Sequence, residues 1–172
     1  MATTALKRAP IAKTEMLIRR PVSEVFAAFT EPATLTKFWL SKASGRLEAG
    51  ARVHRDFIVR GAQADVEVKV FERHESIVLS WTGGDTVEFR FTPRGPQQTF
   101  VTIENTGFSG DADEAVGKAV DSACGFTIVL CELKALLEHG MTMNYGPDKF
   151  PDTALNLPPP RPALEPTRAG GQ

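Results

Sequence analysis

Apolar and polar residues alternate through the middle of the chain, and stripes of helical period stand on either side of that stretch. "TEMLIRR" sets Met16 and Ile18 on one face and predicts a short strand. Pro21 then opens a helix, since its missing N–H would be unpaired at the first helical position, and "PVSEVFAAF" lines up Val22, Val25, Phe26 and Phe29. A second short helix starts at Pro32 in "PATLTKFWL", with Glu31 near the positive end of its dipole. Strands follow. "SGRLEAG" is weak, and "ARVHRDFIVR" alternates Val53, Arg55, Phe57 and Val59 against His54, Asp56 and Ile58. "QADVEVKVFER" points Val66, Val68 and Val70 one way, and "SIVLSWT", "TVEFRFT" and "QQTFVTIENTGF" continue the meander. Short turn signals between these runs imply antiparallel hairpins.

The last element is a long helix over Asp113–Gly140, capped by Asp111 or Asp113 and ended by His139 and Gly140. Its apolar stripe is uneven. Ala115, Ala119, Ser122 and Ala123 occupy the first half; Phe126, Val129, Leu130, Leu133, Leu136 and Leu137 fill the second. The order of elements predicts an α+β fold in which a curved antiparallel sheet wraps around the long C-terminal helix, with two short helices after the first strand. At the bulky end side chains reach the sheet. At the thin end two readings stay open: the backbones approach closely, or a hollow remains under Ala119, Ser122, Ala123 and Phe126.

Residues 1–12 read as a flexible arm, 13–145 as the one domain, and 146–172 as a Pro-rich disordered tail, because seven of the twelve prolines fall between Pro147 and Pro166. The 20 basic and 21 acidic residues give a net charge of −1, with no basic block, which argues against nucleic acid as a partner. No apolar run reaches the roughly 18 residues of a membrane span, and the N-terminus lacks a signal-peptide pattern, so a cytoplasmic protein with no membrane partner is expected. Cys124 and Cys131 lie seven positions apart on one helix, roughly 10 Å along its axis. That exceeds the about 7 Å between alpha carbons that a disulfide tolerates, and unpaired thiols suit a reducing compartment.

Arg55 is the polar residue that changes the picture, since it shares the inward face of its strand with Val53 and Phe57. Buried, it needs an acid or an anionic ligand group. Otherwise the strand lies near an edge and the side chain snorkels out, or the face assignment is inverted. Trp81 reads as a core residue and Trp39, close to a loop, as a pocket rim. His139 belongs to the helix end, His74 to an exposed hairpin turn, and His54 to the outward face. No HxH, HExxH or CxxC pattern occurs, so no metal or other cofactor is expected, and no nucleophile, phosphate or dinucleotide motif is present. Catalysis is not written in these residues.

Three segments carry a resemblance. "PVSEVFAAFTEPATLTKFW" with its aromatic pair Phe38–Trp39, "VKVFERHESIVLSW" with its terminal Trp81, and "CGFTIVLCELKALLEHG" resemble the START-like, or SRPBCC, helix-grip superfamily. Within it they are most similar to bacterial homologues of the activator of heat-shock protein ATPase. "MTMNYGPDKFPD" resembles an extension of some bacterial members, and Phe126 stands where the family usually has Trp. The resemblance spans roughly Thr14–Asp152 and implies an apolar cavity between helix and sheet. Superfamily members use that cavity for lipids, hormones or polyketides, and a few are cyclases or aromatases. The expected function is binding of a hydrophobic small molecule by Trp39, Val53, Arg55, Phe57, Val68, Trp81, Phe89, Phe91, Ala119, Ser122, Ala123, Phe126 and Leu130. The alternatives are a cyclase-like enzyme and a co-chaperone of a heat-shock ATPase, and the oligomeric state stays open.

Overall fold

A computed structural model describes residues 6–152. Its elements run β1 (Ala12–Ile18), α1 (Val22–Thr30), α2 (Pro32–Phe38), β2 (Leu40–Ala43), β3 (Arg52–Phe57), β4 (Gln63–Glu72), β5 (Ser76–Trp81), β6 (Thr86–Pro93), β7 (Thr99–Thr106), α3 (Ala112–His139) and α4 (Tyr145–Lys149). The seven strands form one antiparallel sheet in the order β1-β7-β6-β5-β4-β3-β2. From β3 to β7 consecutive strands are hairpin neighbours, as the short turns require. β1 joins at the far edge beside β7, so β1 and β2, which follow one another with only α1 and α2 between them, lie on opposite edges. The sheet is curved and α3 lies across its inner face. The α+β architecture expected from the order of elements is the one observed.

Alternation on each strand supplies the core. Val53 of β3, Val66 and Val68 of β4, Ile77 and Leu79 of β5, Val87, Phe89 and Phe91 of β6, and Val101 and Ile103 of β7 are all buried. α1 covers one end of this face with Phe26 and Phe29. The Phe29 ring meets those of Phe38, Trp39, Phe89 and Phe91 at centroid distances of 5.1–6.4 Å. α3 closes the other end with Phe126, Val129, Leu130 and Leu133.

α3 is stapled along one flank to β1. Lys134 Nζ donates to the Leu17 carbonyl at 2.8 Å, the Thr14 and Thr127 hydroxyls lie 2.9 Å apart, and the Arg19 N–H donates to Glu138 at 2.7 Å. Its N-terminus carries a reciprocal cap: Asp111 accepts the Glu114 N–H at 2.9 Å, and Glu114 accepts the Asp111 N–H at 3.3 Å. Gly110 precedes this cap at φ +112, and a Cβ there would stand 2.3 Å from Glu114 Oε2, so the folded-back carboxylate requires glycine. Gly140 ends the helix in the left-handed region, donating to the Ala135 and Leu136 carbonyls.

Several elements differ from the sequence expectation. The weak strand expected over "SGRLEAG" is a loop. The strand that pairs with β3 is Leu40–Ala43, which the helical reading of "PATLTKFWL" had partly absorbed. α2 stops at Phe38 because Leu40 is drawn into the ladder opposite Phe57. Val70 is exposed, not inward: the ladder shifts between Val68 and Val70, which inverts the alternation and sends Phe71 inward against Phe26. His74 is half-buried, with its ring edge-on to Phe26 at 5.5 Å. Residues 145–149, which fall at the start of the expected tail, form a helical turn, and Pro147 in it is buried. The rest of that tail, 153–172, and the first five residues of the expected arm lie outside the described residues.

Candidate functional site

The free flank of α3 faces the junction of α2, β2 and β3, and there the chain encloses a cleft of about 810 Å3. One wall is α3, through Ser122, Gly125, Phe126, Val129 and Glu132. Opposite it stand Trp39 at the α2–β2 junction, Phe57 at the end of β3, Ile58 and Val59 beyond it, and Trp81 at the end of β5. The third side is the segment after α3, with Thr142, Asn144, Pro147 and Phe150.

The aromatic side chains pack on one another. Phe57 and Trp81 stack at 5.7 Å with planes 19° apart; Trp39 meets Phe126 at 5.8 Å and Trp81 at 6.4 Å. They converge because three elements end at the same place, so each contributes its last ring to one surface.

Polar groups at this surface are few and unevenly satisfied. Asn105 Nδ2 donates to Ser122 Oγ at 3.0 Å, bridging β7 to α3, while Asn105 Oδ1 is buried without a partner among the described residues. Trp81 Nε1 is likewise buried and unpartnered. Glu132 is 4% exposed, and its carboxylate accepts the backbone N–H groups of Met143 and Tyr145. That pairing holds the segment after α3 against the cleft as a strap.

Arg55 is fully buried at 0% exposure, and none of its guanidinium nitrogens has a hydrogen-bond partner among the described residues. Its ring-facing contact is with Trp39, 5.2 Å from the guanidinium carbon to the indole centroid. Burial pushes its pKa down to about 10, so it remains charged at neutral pH. The inward face is therefore the one Arg55 occupies.

Of the thirteen residues picked from the sequence, Trp39, Phe57, Trp81, Ser122 and Phe126 come together on the cleft wall. Val53, Val68, Phe89, Phe91 and Leu130 are buried in the core and do not line it, Phe89 packing directly behind Trp39 and Phe126, and Arg55 lies behind Trp39. Ala119 is buried and Ala123 half-buried, neither on the wall. Ala115 and Ala119 of the thin half are thus buried outside the hollow, which runs from Asp121 and Ser122 at the end of that half along the middle of the helix to Glu132.

The sequence pattern did not single out Asn105, Gly125 or Glu132, and it marked the strap only through "MTMNYGPDKFPD", the segment that resembles an extension of bacterial members, without giving it a place in the site. Asn105 was legible as a polar residue in phase with Val101 and Ile103. In the segment after α3 Met143 is half-buried and Pro147 buried, whereas Met141, Tyr145 and Phe150 are exposed, so its apolar residues give no periodic signal of packing.

The family model described as "Activator of Hsp90 ATPase homolog 1-like protein" matches residues 19–138. The chain belongs to that family. Its members' START-like helix-grip architecture is the one described above. Among solved structures, this family member is similar to protein SSP2350 from Staphylococcus saprophyticus, with 26% identity, 77% of this chain and 95% of that one covered, and a TM-score of 0.68. It is similar in fold to the Aha1 dimer from Colwellia psychrerythraea, at 20% identity, 76% and 97% coverage and a TM-score of 0.64. It is similar in fold, too, to DynU16 of the dynemicin biosynthetic locus, at 20% identity and a TM-score of 0.67, covering 77% of this chain and 49% of that one. No curated protein matches the chain. No helix among the described residues is long and apolar enough to cross a membrane, and no group of three His, Cys, Asp or Glu among them could hold a metal ion.

Proposed function

We propose that this member of the family binds a hydrophobic small molecule in the cleft between α3, the ends of β3 and β5, and the strap. The observation that carries the reading is the cleft itself: about 810 Å3, walled by Trp39, Phe57, Trp81 and Phe126, within the range of pockets that enclose small ligands. Apolar burial against those rings would supply the affinity, and the unpartnered Trp81 Nε1 and Asn105 Oδ1 would orient the molecule. Release would follow strap opening at Met143 and Tyr145. The two free cysteines, Cys124 exposed and Cys131 half-buried, fit a reducing cytoplasm as the site of action.

A transforming enzyme needs a sheltered acid or base. Among the described residues, the carboxylates on the wall are Asp121, which is exposed, and Glu132, which already accepts two backbone N–H groups. Binding is therefore favoured over turnover. The chaperone reading draws support from the family description alone.

The test is a backbone amide NMR titration with a panel of aromatic acids, flavonoids and lipids. Saturable shifts shared by Trp39, Phe57, Trp81, Ser122–Glu132 and the strap are expected. Shifts confined to the outer face of the sheet, or none across the panel, would overturn the reading.

A further inference from the structure

We infer that the ligand of this cleft is an apolar molecule carrying one carboxylate or comparable anionic group, and that Arg55 is the counter-charge for it. The inference rests on the binding reading above and goes further by fixing the charge of the ligand. Arg55 and Glu132 are the buried charged residues among those described. Glu132 has its partners in the strap, whereas among the described residues Arg55 has no acid within ion-pairing distance and no hydrogen bond. The acids nearest in sequence do not serve it: Asp56 lies on the opposite face of β3 with His54, and Asp65 pairs with the same imidazole. A guanidinium held in an apolar interior is costly unless something negative meets it. Its planar fork suits a carboxylate, which it would take in a bidentate pair.

The geometry also says how the acid would arrive. Arg55 is one ring behind the cleft wall, and that ring is Trp39, which both lines the cleft and lies 5.2 Å from the guanidinium carbon. Trp39 is the single-residue joint between α2, which ends at Phe38, and β2, which begins at Leu40 in a ladder whose register shifts before Lys42; its N–H is held by the Leu35 carbonyl, and its indole packs against Phe29, Phe57, Trp81, Phe89 and Phe126. A tilt of the indole exchanges a cation–π contact for an ion pair and leaves the apolar body of the ligand against Phe57, Trp81 and Phe126. Arg55 is thus the group that selects the ligand, and Trp39 the shutter in front of it.

Two matched pairs of probes test this on the full chain: 2-naphthoate against 2-naphthalenemethanol, and dodecanoate against dodecan-1-ol. Affinities come from calorimetry, and the Arg55 Nε–H resonance is followed by NMR. In each pair that binds, the acid is expected to bind at least ten-fold more tightly than the alcohol and to move the Arg55 Nε–H signal, which the alcohol leaves in place. In Arg55→Met the acid falls to the affinity of the alcohol, while the alcohol is unaffected. Arg55→Lys, which keeps the charge, retains part of the preference and guards against a folding artefact in the methionine variant. Equal binding of acid and alcohol, with shifts on the cleft wall, would overturn the anion assignment and leave the cleft reading standing. No saturable binding of any of the four probes would overturn both.

Discussion

Glu132 on α3 accepts the backbone N–H of Tyr145 at the head of α4, and the same carboxylate accepts that of Met143. A charged side chain buried in the middle of a helix thereby replaces the partners that an irregular segment cannot give itself. Glu132→Ala strands both amides. It is expected to cost about 1–3 kcal/mol and to speed hydrogen exchange at Met143 and Tyr145 while leaving the strands protected. Unchanged exchange at both amides would mean that the strap is held by Pro147 packing instead.

A buried guanidinium without a hydrogen-bond partner among the described residues is expected to destabilise the ligand-free fold. Arg55→Met replaces an unpartnered buried charge with an apolar side chain of comparable reach. The ligand-free melting temperature is expected to rise, by an amount corresponding to roughly 1–4 kcal/mol. A fall in the melting temperature would show that the guanidinium finds compensation in the folded protein.

Asn105, which is buried, and the half-buried Ser122 form a side-chain pair across the β7–α3 gap at 3.0 Å. Ser122→Ala leaves the Asn105 amide without its acceptor and should lower stability by about 1–3 kcal/mol. Adding Asn105→Leu should return part of that loss, since two apolar partners tolerate each other where one orphaned amide does not. Additive losses in the double-mutant cycle would refute the coupling.

His54 lies on the outer face of β3, its Nδ1 2.6 Å from Asp65 Oδ1 and its Nε2 3.3 Å from Asp56 Oδ1. The hydrogen bond to Asp65, with the charges of both acids, raises its pKa above the ordinary value of 6.5. A raised histidine pKa contributes stability that is complete below the unfolded value and is lost as pH rises through the folded one. In an NMR titration of the imidazole, Asp65→Asn should lower the midpoint. A midpoint indifferent to that change would remove Asp65 as the cause.

Gly110 and Glu114 set the start of α3. Gly110→Ala puts a Cβ into the Glu114 carboxylate at a φ of +112, which an L side chain rarely adopts. It should therefore cost more than the loss of the cap alone, which Asp111→Ala puts at about 1 kcal/mol. Equal losses in chemical denaturation would show that the carboxylate moves aside freely.

The sequence determined the elements and most of the faces, because a strand or helix writes its burial into a local period. Alternation put Arg55 inward with Val53 and Phe57, and it is buried there. The three segments that resemble the family identified the helix grip, since the aromatic and leucine positions that carry the resemblance lie in the short helices, the strands and the long helix that build it. What the period could not carry was phase. One extra residue at Lys69 inverts β4, so Val70 and Phe71 exchange faces, and nothing local marks the insertion.

Only tertiary structure decided where the hollow lies. Small residues on a helix allow both close approach and empty space, and the choice belongs to whatever stands opposite. At Ala115 and Ala119 the helix is packed and buried. At Gly125, facing Trp39, Phe57 and Trp81 from three different elements, it is not closed. The strap was hidden for the same reason. Its prolines read locally as an unstructured tail, while the groups that hold it, the Glu132 carboxylate and the wall of the cleft, belong to parts of the chain that only folding brings near.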